Sequence, residues 1–375
     1  MCAFCRPVAF LLMLLLPGCT EGPHYRVVST HARDGCDELI LARYWQRPTD
    51  ILGMAHEDRF EYFVAPLVGS TLGRAQRIER DEWQESAEFF PVGGTERFVR
   101  VLKSHSVSFW TVAPASGERR KLYEGESSKT TAWAVTPDGR RLLVVDARGL
   151  RIIDTASGDG VEHASDHVLI EARRVIVDHF GAAGTWFISN DLRHVVIATP
   201  DWVSRPRVTM TPEPIKLRTG GIEFVAGTQG LVYDRTSRVI STFPLNLQMP
   251  GQPIKYRIEI EAAGVEGRNV MLAYVGVKES GERVVVVAAP DLSLQHVGEV
   301  PFYNPQLFSL AGVEFPPALG QVRLLECADP QLRPEGRGHA PDFYLRTWNY
   351  ENSTVEVTSI SGSEIVRAIR QGKRG

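Results

Sequence analysis

Hydrophobic and polar positions alternate in short runs along much of the chain, and a period of two residues is typical of β-strands. Within residues 131–160, three such runs occupy 133–136, 142–145 and 150–153. A Pro-Asp-Gly tripeptide at 137–139 separates the first two runs, and these residue types favour a tight turn. Strands this short that are joined by tight turns must pair antiparallel. The segment therefore predicts a compact unit of antiparallel β-structure.

Similar units recur along the chain. The tripeptide Ala-Ser-Gly at 115–117 occurs again at 156–158, 41 residues later. Asp234 follows Asp154 by 80 residues, which we interpret as two periods of about 40. Away from the extreme termini we find no sustained helical periodicity, so the repeat predicts a blade of four strands. Weaker copies of the unit begin at Thr185, Glu282 and Phe343.

The stretch TPDGRRLLVVDARGLRIIDTASG, residues 136–158, resembles a blade of the β-propeller superfamily, of the type shared by WD-repeat and quinoprotein-like propellers. The resemblance extends over roughly residues 95–245. It implies an all-β fold of about six to eight four-stranded blades, and it implies no activity. We expect the propeller to span 36–362 and a short polar tail to follow at 363–375. A β-sandwich followed by a second all-β domain is the alternative.

Composition agrees with a large β-domain and narrows the choice of partners. The chain has 375 residues, of which 43% are hydrophobic, so it can bury a substantial core. Its 33 Gly and 23 Pro suit a fold with many turns. The formal net charge is -3, and no basic segment with interleaved aromatic residues is found, which argues against a nucleic-acid partner. We predict the scattered arginines at solvated strand positions.

The N-terminus carries the most specific signal. Arg6 precedes an apolar run that is too short to span a bilayer and is typical of a secretory signal peptide. Leu16-Pro17-Gly18-Cys19 then resembles the lipobox of bacterial lipoproteins, which implies cleavage before Cys19 and lipidation of its thiol. We expect a signal peptide at 1–18 and a lipidated tether at 19–35 in the cell envelope. By the same resemblance, Thr20 favours the outer membrane; an ordinary signal peptide is the alternative.

The remaining cysteines predict a disulfide. Cys2 and Cys5 lie in the segment that is expected to be removed, and Cys19 is expected to be lipidated. Cys36 and Cys327 are left in an oxidising compartment, where two thiols usually pair. In propellers the N-terminal strand often completes the last blade, so a bridge between these two residues would join the chain ends. Two unpaired buried thiols are the alternative.

Local motifs for a nucleophile, a zinc ion, a phosphate or a dinucleotide are absent from the sequence, and we expect no cofactor. The side chains of Glu162, His163, Asp166 and His167 are of types that bind divalent transition metals. Nothing in their spacing fixes a ligand geometry, so we favour a solvated polar loop over a metal site.

One long stretch, 326–343, interrupts the blade rhythm with several Pro and Gly residues. Long insertions in compact domains are often functional. We therefore take residues of this stretch, and one tryptophan at a turn, as candidates for partner contact: Trp202, Arg333, Glu335, Arg337 and His339.

The interpretation that unites these features is an envelope lipoprotein whose propeller binds or scaffolds a protein or glycan partner. The alternative is a hydrolase or lyase of propeller type with its site at the mouth of the channel. Whether the chain is an enzyme stays open, with binding favoured. A convergence of carboxylates or histidines on the axis would favour the enzyme.

If Cys36 bridges Cys327, the mature chain should show no reactive thiol when it is denatured without a reducing agent. Replacing either cysteine should lower thermal stability as much as replacing both, because every variant loses the same bond. Thiol labelling and thermal unfolding under oxidising conditions measure these outcomes. Two reactive thiols in the unreduced chain would contradict the bridge.

Overall fold

The computed structural model describes residues 21–33, 36–48, 56–80, 87–162, 166–198, 216–219, 222–225, 229–244, 259–266, 269–277, 282–288, 296–301, 308–315, 320–328 and 340–372. Antiparallel β-sheets account for most of these residues, and each sheet takes its strands from one stretch of the chain.

Within the described residues, five four-stranded sheets form the blades of a propeller. Blade 1 consists of β6 (Ala87–Pro91), β7 (Phe98–Lys103), β8 (Val107–Val112) and β9 (Arg119–Gly125). Blade 2 consists of β10 (Ala132–Val135), β11 (Arg141–Asp146), β12 (Gly149–Asp154) and β13 (Gly160–Glu162). Blade 3 consists of β14 (Thr185–Ile188), β15 (His194–Ala198), β18 (Gln229–Asp234) and β19 (Val239–Pro244). A separate hairpin of β16 (Lys216–Thr219) and β17 (Ile222–Val225) is inserted in the sequence between β15 and β18. Blade 4 consists of β20 (Glu259–Glu266), β21 (Asn269–Val277), β22 (Arg283–Ala288) and β23 (His296–Pro301). Blade 5 consists of β24 (Phe308–Glu314), β25 (Gln321–Ala328), β26 (Phe343–Asn349) and β27 (Thr354–Ile360).

A five-stranded N-terminal sheet closes the ring between blade 5 and blade 1. Tyr62 and Phe63 are adjacent, fully buried and on opposite faces of this sheet. Tyr62 packs in one core with Phe89 of blade 1, and Phe63 packs in another with Phe343 of blade 5. The strands of this sheet are β1 (Glu21–Arg33), β2 (Cys36–Pro48), β3 (His56–Val68), β4 (Thr71–Leu72) and β5 (Gln76–Arg80).

This arrangement confirms the predicted propeller. First strands of neighbouring sheets contact one another: β1 touches both β24 and β6, β10 touches β14, and β20 touches both β14 and β24. The number of four-stranded blades is five, whereas about six to eight were expected. The difference arises because the N-terminal sheet occupies a place in the ring with five strands. Its first strand begins at Glu21, within the segment that was expected to be a tether.

The sequence repeat corresponds to the turn between the third and fourth strands of a blade. Asp154 and Asp234 occupy the same place in this turn, and each accepts hydrogen bonds from backbone N–H groups two and three residues later. Their spacing of 80 residues was interpreted as two periods, and this is wrong. Blades 2 and 3 are neighbours, and a helix and the β16–β17 hairpin lengthen the interval. The fifth residue of the turn has a positive φ in four blades, at Gly117, Gly158, Arg238 and Ser353.

Blades 1 and 2 are fixed to each other at their turns. Gly139 has a φ of +68°, and a Cβ there would lie 1.9 Å from the carbonyl oxygen of Pro91 in blade 1. Only glycine fits so close an approach. The guanidinium of Arg120 in blade 1 donates to the carbonyl oxygens of Ala156 and Ser157 in blade 2, at 2.5 and 2.6 Å.

A helix that the periodicity analysis did not predict, α1 (His167–Phe180), lies between blades 2 and 3. It buries Leu169, Ala172 and Ile176 in the core that these two blades share. Gly181 ends the helix with a φ of 69°, and its N–H donates to the carbonyl oxygen of Val177 at 2.7 Å. The expectation that helical periodicity is confined to the termini is therefore wrong.

The C-terminal segment, which was expected to be a polar tail, forms the helix α2 (Gly362–Gly372). This helix buries Ile365, Val366, Ala368 and Ile369 in the core between the N-terminal sheet and blade 5. It therefore covers the junction between the N-terminal sheet and blade 5. Neither described helix has the length and apolar character needed to cross a bilayer.

Asp234 should stabilise the fold in a pH-dependent way. Its hydrogen bond with Arg193 holds the pKa of the Asp234 carboxyl well below its usual range. Because the pKa is lowered in the folded state, the stabilisation is present above the unfolded-state value of about 3.9 and is lost as the pH falls below it. Asp234→Asn should therefore lower the free energy of unfolding near neutral pH by about 1–2 kcal/mol. Urea unfolding from about pH 3 to 7 should also show a weaker acid dependence for this variant.

Asp178→Asn is the matched control, because its ion pair with Arg174 is exposed on α1. This variant should change the free energy of unfolding by less than about 0.5 kcal/mol. Equal stability of the two variants near neutral pH would contradict the role of Asp234.

Candidate functional site

Most of the residues that the sequence analysis selected lie outside the described part of the chain. They are Cys19, His163, Trp202, Arg333, Glu335, Arg337 and His339, together with the side chains of Cys36 and Glu162. Their proposed roles in lipidation, metal binding, partner contact and disulfide formation stay predictions.

Two candidates from the polar segment before α1 are described. Asp166 accepts hydrogen bonds from Arg235 Nη2 at 2.6 Å and from the Tyr233 hydroxyl at 3.4 Å. His167 is the first residue of α1 and is exposed. Asp166 therefore joins α1 to blade 3 through an ion pair. Among the described residues, no three His, Cys, Asp or Glu side chains cluster as metal ligands would.

Cys327 lies half-buried in β25. Asp37, the residue after Cys36, forms an ion pair of 2.8 Å with Arg323 of the same strand. The start of β2 therefore lies beside β25, and the predicted bridge requires the two strands to be neighbours. No disulfide is found among the described residues, and the pairing stays a prediction.

A cleft of about 940 Å³ opens beside the N-terminal sheet. Arg43 and Trp45 of β2 line it together with Arg59 and Glu61 of β3. The segment 74–77 adds two further arginines, and the turn after β8 and the end of α2 complete the wall. We call this cleft the arginine cleft.

Strand register explains why these side chains meet. Arg43 lies directly opposite Glu61 across the β2–β3 ladder, and Trp45 lies directly opposite Arg59. Residues two apart on a strand share a face, so the four side chains form a block on one face of the sheet. Nearer the turn between β2 and β1, the same face is apolar and packs against blade 5.

Trp45 forms a platform between two guanidinium groups. The Cζ atoms of Arg43 and Arg59 lie 4.4 and 5.5 Å from the centroid of its ring, which are cation–π distances. Arg43 also forms an ion pair with Glu61, whose side chain is only 4% exposed. These contacts hold Arg43 in place while Trp45 remains partly accessible.

Positive charge dominates the arginine cleft. Its described lining contains four arginines and one glutamate. Arg59, Arg74 and Arg77 form no ion pair within the part of the chain that the structure describes. The Nε of Arg59 is buried, and no acceptor for it is found among the described residues. A bound anion would supply that acceptor, and guanidinium groups pair well with carboxylate and phosphate oxygens.

This site was not predicted from the sequence, because the arginines were expected at scattered, solvated positions. A usable signal was present in the alternation of Arg43 with Trp45 and of Arg59 with Glu61 on two neighbouring strands. This alternation indicates a shared site only when the strand register is known, because the register places Arg43 opposite Glu61 and Trp45 opposite Arg59.

No protein-family model and no curated protein matches this sequence. Among solved structures, the chain is similar to a prolyl endopeptidase, with 9% identity over 91% of this chain and 50% of that chain and a TM-score of 0.44. It is similar to a chain of the COPII outer coat on membranes, with 8% identity over 90% of this chain and 74% of that chain and a TM-score of 0.43. It is also similar to the tricorn protease, with 12% identity over 88% of this chain and 39% of that chain and a TM-score of 0.32. The chain thus spans half the length, or less, of the two peptidases. Similarity at this level says nothing about activity.

The double variant Arg74→Gln/Arg77→Gln should bind immobilised phosphate groups more weakly than the unaltered chain. On phosphocellulose it should elute at lower salt, because two exposed charges of the arginine cleft are lost. The control Arg97→Gln/Arg174→Gln removes the same charge from exposed ion pairs elsewhere. Equal elution of the two double variants would show that net charge, and not the cleft, governs retention.

Proposed function

We propose that the chain is a lipid-anchored scaffolding propeller of the bacterial cell envelope, which binds its partners through their anionic groups. The arginine cleft is the observation that carries this proposal, since it combines an aromatic platform with three guanidinium groups for which no ion pair is found among the described residues. Its partners are envelope proteins or glycans that bear carboxylate or phosphate groups.

The chemistry of the lining favours binding over catalysis. Glu61 is the carboxylate among the described lining residues, and Arg43 already pairs with it. General acid–base catalysis needs a group that can exchange a proton with the substrate. A carboxylate that is engaged by arginine and almost fully buried is poorly suited to this task, which argues against a hydrolase or lyase site in the cleft.

Contacts between neighbouring blades restrain the ring on which the arginine cleft lies. In addition to the bonds of Arg120, Arg346 of blade 5 donates to the carbonyl oxygen of Pro301 in blade 4 at 2.7 Å. The same guanidinium pairs with Glu326 at 2.7 Å, and both side chains are buried. A surface that is already ordered loses little conformational entropy when a partner binds.

The proposal of a lipid anchor is based on the sequence that precedes β1. An apolar run that ends in Cys19 is typical of lipoprotein precursors. Each buried methylene of an acyl chain contributes about 0.8 kcal/mol to membrane binding. Two or three acyl chains therefore suffice for stable attachment.

Cys19→Ala should abolish lipidation. The variant should lack the added lipid mass and should either remain as uncleaved precursor or leave the membrane fraction. Cys5→Ala is the matched control, because it removes a cysteine from the segment that is expected to be cleaved. Intact-mass measurement and membrane fractionation read out both variants. Unchanged mass and fractionation of Cys19→Ala would refute the anchor.

A further inference from the structure

The arginine cleft begins at the end of the N-terminal sheet where β1 starts. Glu21, the first residue of β1, pairs with Gln46. Trp45, the neighbour of Gln46, lies opposite Arg59. Trp45 and Arg59 are therefore about one residue, or roughly 3 Å, from the level at which the chain enters the sheet.

Cys19 precedes Glu21 by two residues. Consecutive Cα atoms are about 3.8 Å apart, so the Cα of Cys19 lies within about 8 Å of the Cα of Glu21 in any conformation. An acyl chain on this cysteine would hold the sheet end close to the bilayer. Trp45 and Arg59 would then lie at the depth of the lipid headgroups.

The residue types at this end match that environment. Tryptophan is enriched at membrane–water interfaces, where its ring is partly buried and its N–H stays hydrated. Arginine near an anionic surface gains about 1 kcal/mol per charge. Its planar guanidinium also pairs with phosphate through two N–H groups. Arg59 has a buried Nε for which no acceptor is found among the described residues.

From these observations we infer that the Trp45–Arg59 end of the arginine cleft binds the phosphate groups of anionic lipid headgroups in the membrane that holds the lipidated Cys19. This inference rests on the proposed lipid anchor. Anchor and headgroup contact together fix the orientation of the propeller, because the lipid supplies one attachment point and the cleft supplies a second. The remaining arginines of the cleft, Arg74 and Arg77, stay available for a partner.

Trp45 provides the means to test this contact. The full chain is reconstituted in vesicles of phosphatidylcholine alone and in vesicles with an increasing fraction of phosphatidylglycerol, with lipids brominated near the headgroup as quenchers. We expect tryptophan quenching to rise with the phosphatidylglycerol fraction. Trp45→Phe should remove this dependence, because it removes the indole that is inferred to contact the headgroups.

Arg59→Gln should raise the phosphatidylglycerol fraction that gives half-maximal quenching by about fivefold, because the loss of one charge near an anionic surface weakens binding by about that factor. Arg59→Lys keeps the charge but loses the two-point pairing of the guanidinium, so its response should lie between those of Arg59→Gln and the unaltered chain. Arg174→Gln on α1 removes the same charge far from the cleft and should leave the curve unchanged. Quenching that does not depend on phosphatidylglycerol, or that is the same in Trp45→Phe, would overturn the inference.

Two further measurements separate this inference from the proposals on which it rests. Inorganic phosphate added to the chain in phosphatidylcholine vesicles should not alter the Trp45 signal; an equal response to free phosphate would identify a soluble ligand and overturn the lipid assignment. Intact mass reports lipidation independently. If the chain is lipidated but its tryptophan quenching does not depend on phosphatidylglycerol, the headgroup inference is refuted and the anchor is not. A chain without lipid that still shows dependence on both phosphatidylglycerol and Arg59 would support the headgroup contact and refute the anchor.

Discussion

Apolar packing on both faces of the N-terminal sheet is the interaction on which the ring depends. Tyr62 and Phe63 point to opposite sides of β3 and are fully buried, one toward blade 1 and the other toward blade 5. Each sheet takes all its strands from one stretch of chain, so no β-ladder among the described strands joins the last blade to the first. Closure therefore relies on side-chain burial, to which α2 contributes four residues. The arginine cleft lies on a part of this closing sheet that the packing leaves uncovered.

The blades were predictable because their turns carry local signals. A Pro-Asp-Gly turn and the recurring Ala-Ser-Gly segment require particular backbone angles, and the structure places positive φ values at Gly139, Gly117 and Gly158. Helix α1 was missed because its sequence is rich in Val and Ile, which favour strands. It is helical because Leu169, Ala172 and Ile176 fill a core between two blades. That is a tertiary effect, which local propensity does not report.

The site was less predictable than the fold for a different reason. Arg43 and Arg59 are 16 residues apart, and the sequence does not state which residues of β2 and β3 face each other. A shift of one position would turn one strand's charged side chains to the opposite face. The register is set by burial of the apolar residues elsewhere on these strands, so the position of the charges follows from the core. Charge composition alone, with a net value of -3, gives no hint of a basic cleft.

The length of β1 has a mechanical consequence. This strand pairs with β2 from Glu21 to Arg33, and its hydrogen bonds run perpendicular to the strand axis. Tension that enters at the N-terminus, as envelope movements would impose on an anchored protein, pulls along that axis and loads many of these bonds at once. A force perpendicular to the strand axis would instead break these hydrogen bonds one after another. If the proposed anchor is present, β1 is thus oriented to resist the shear that it transmits.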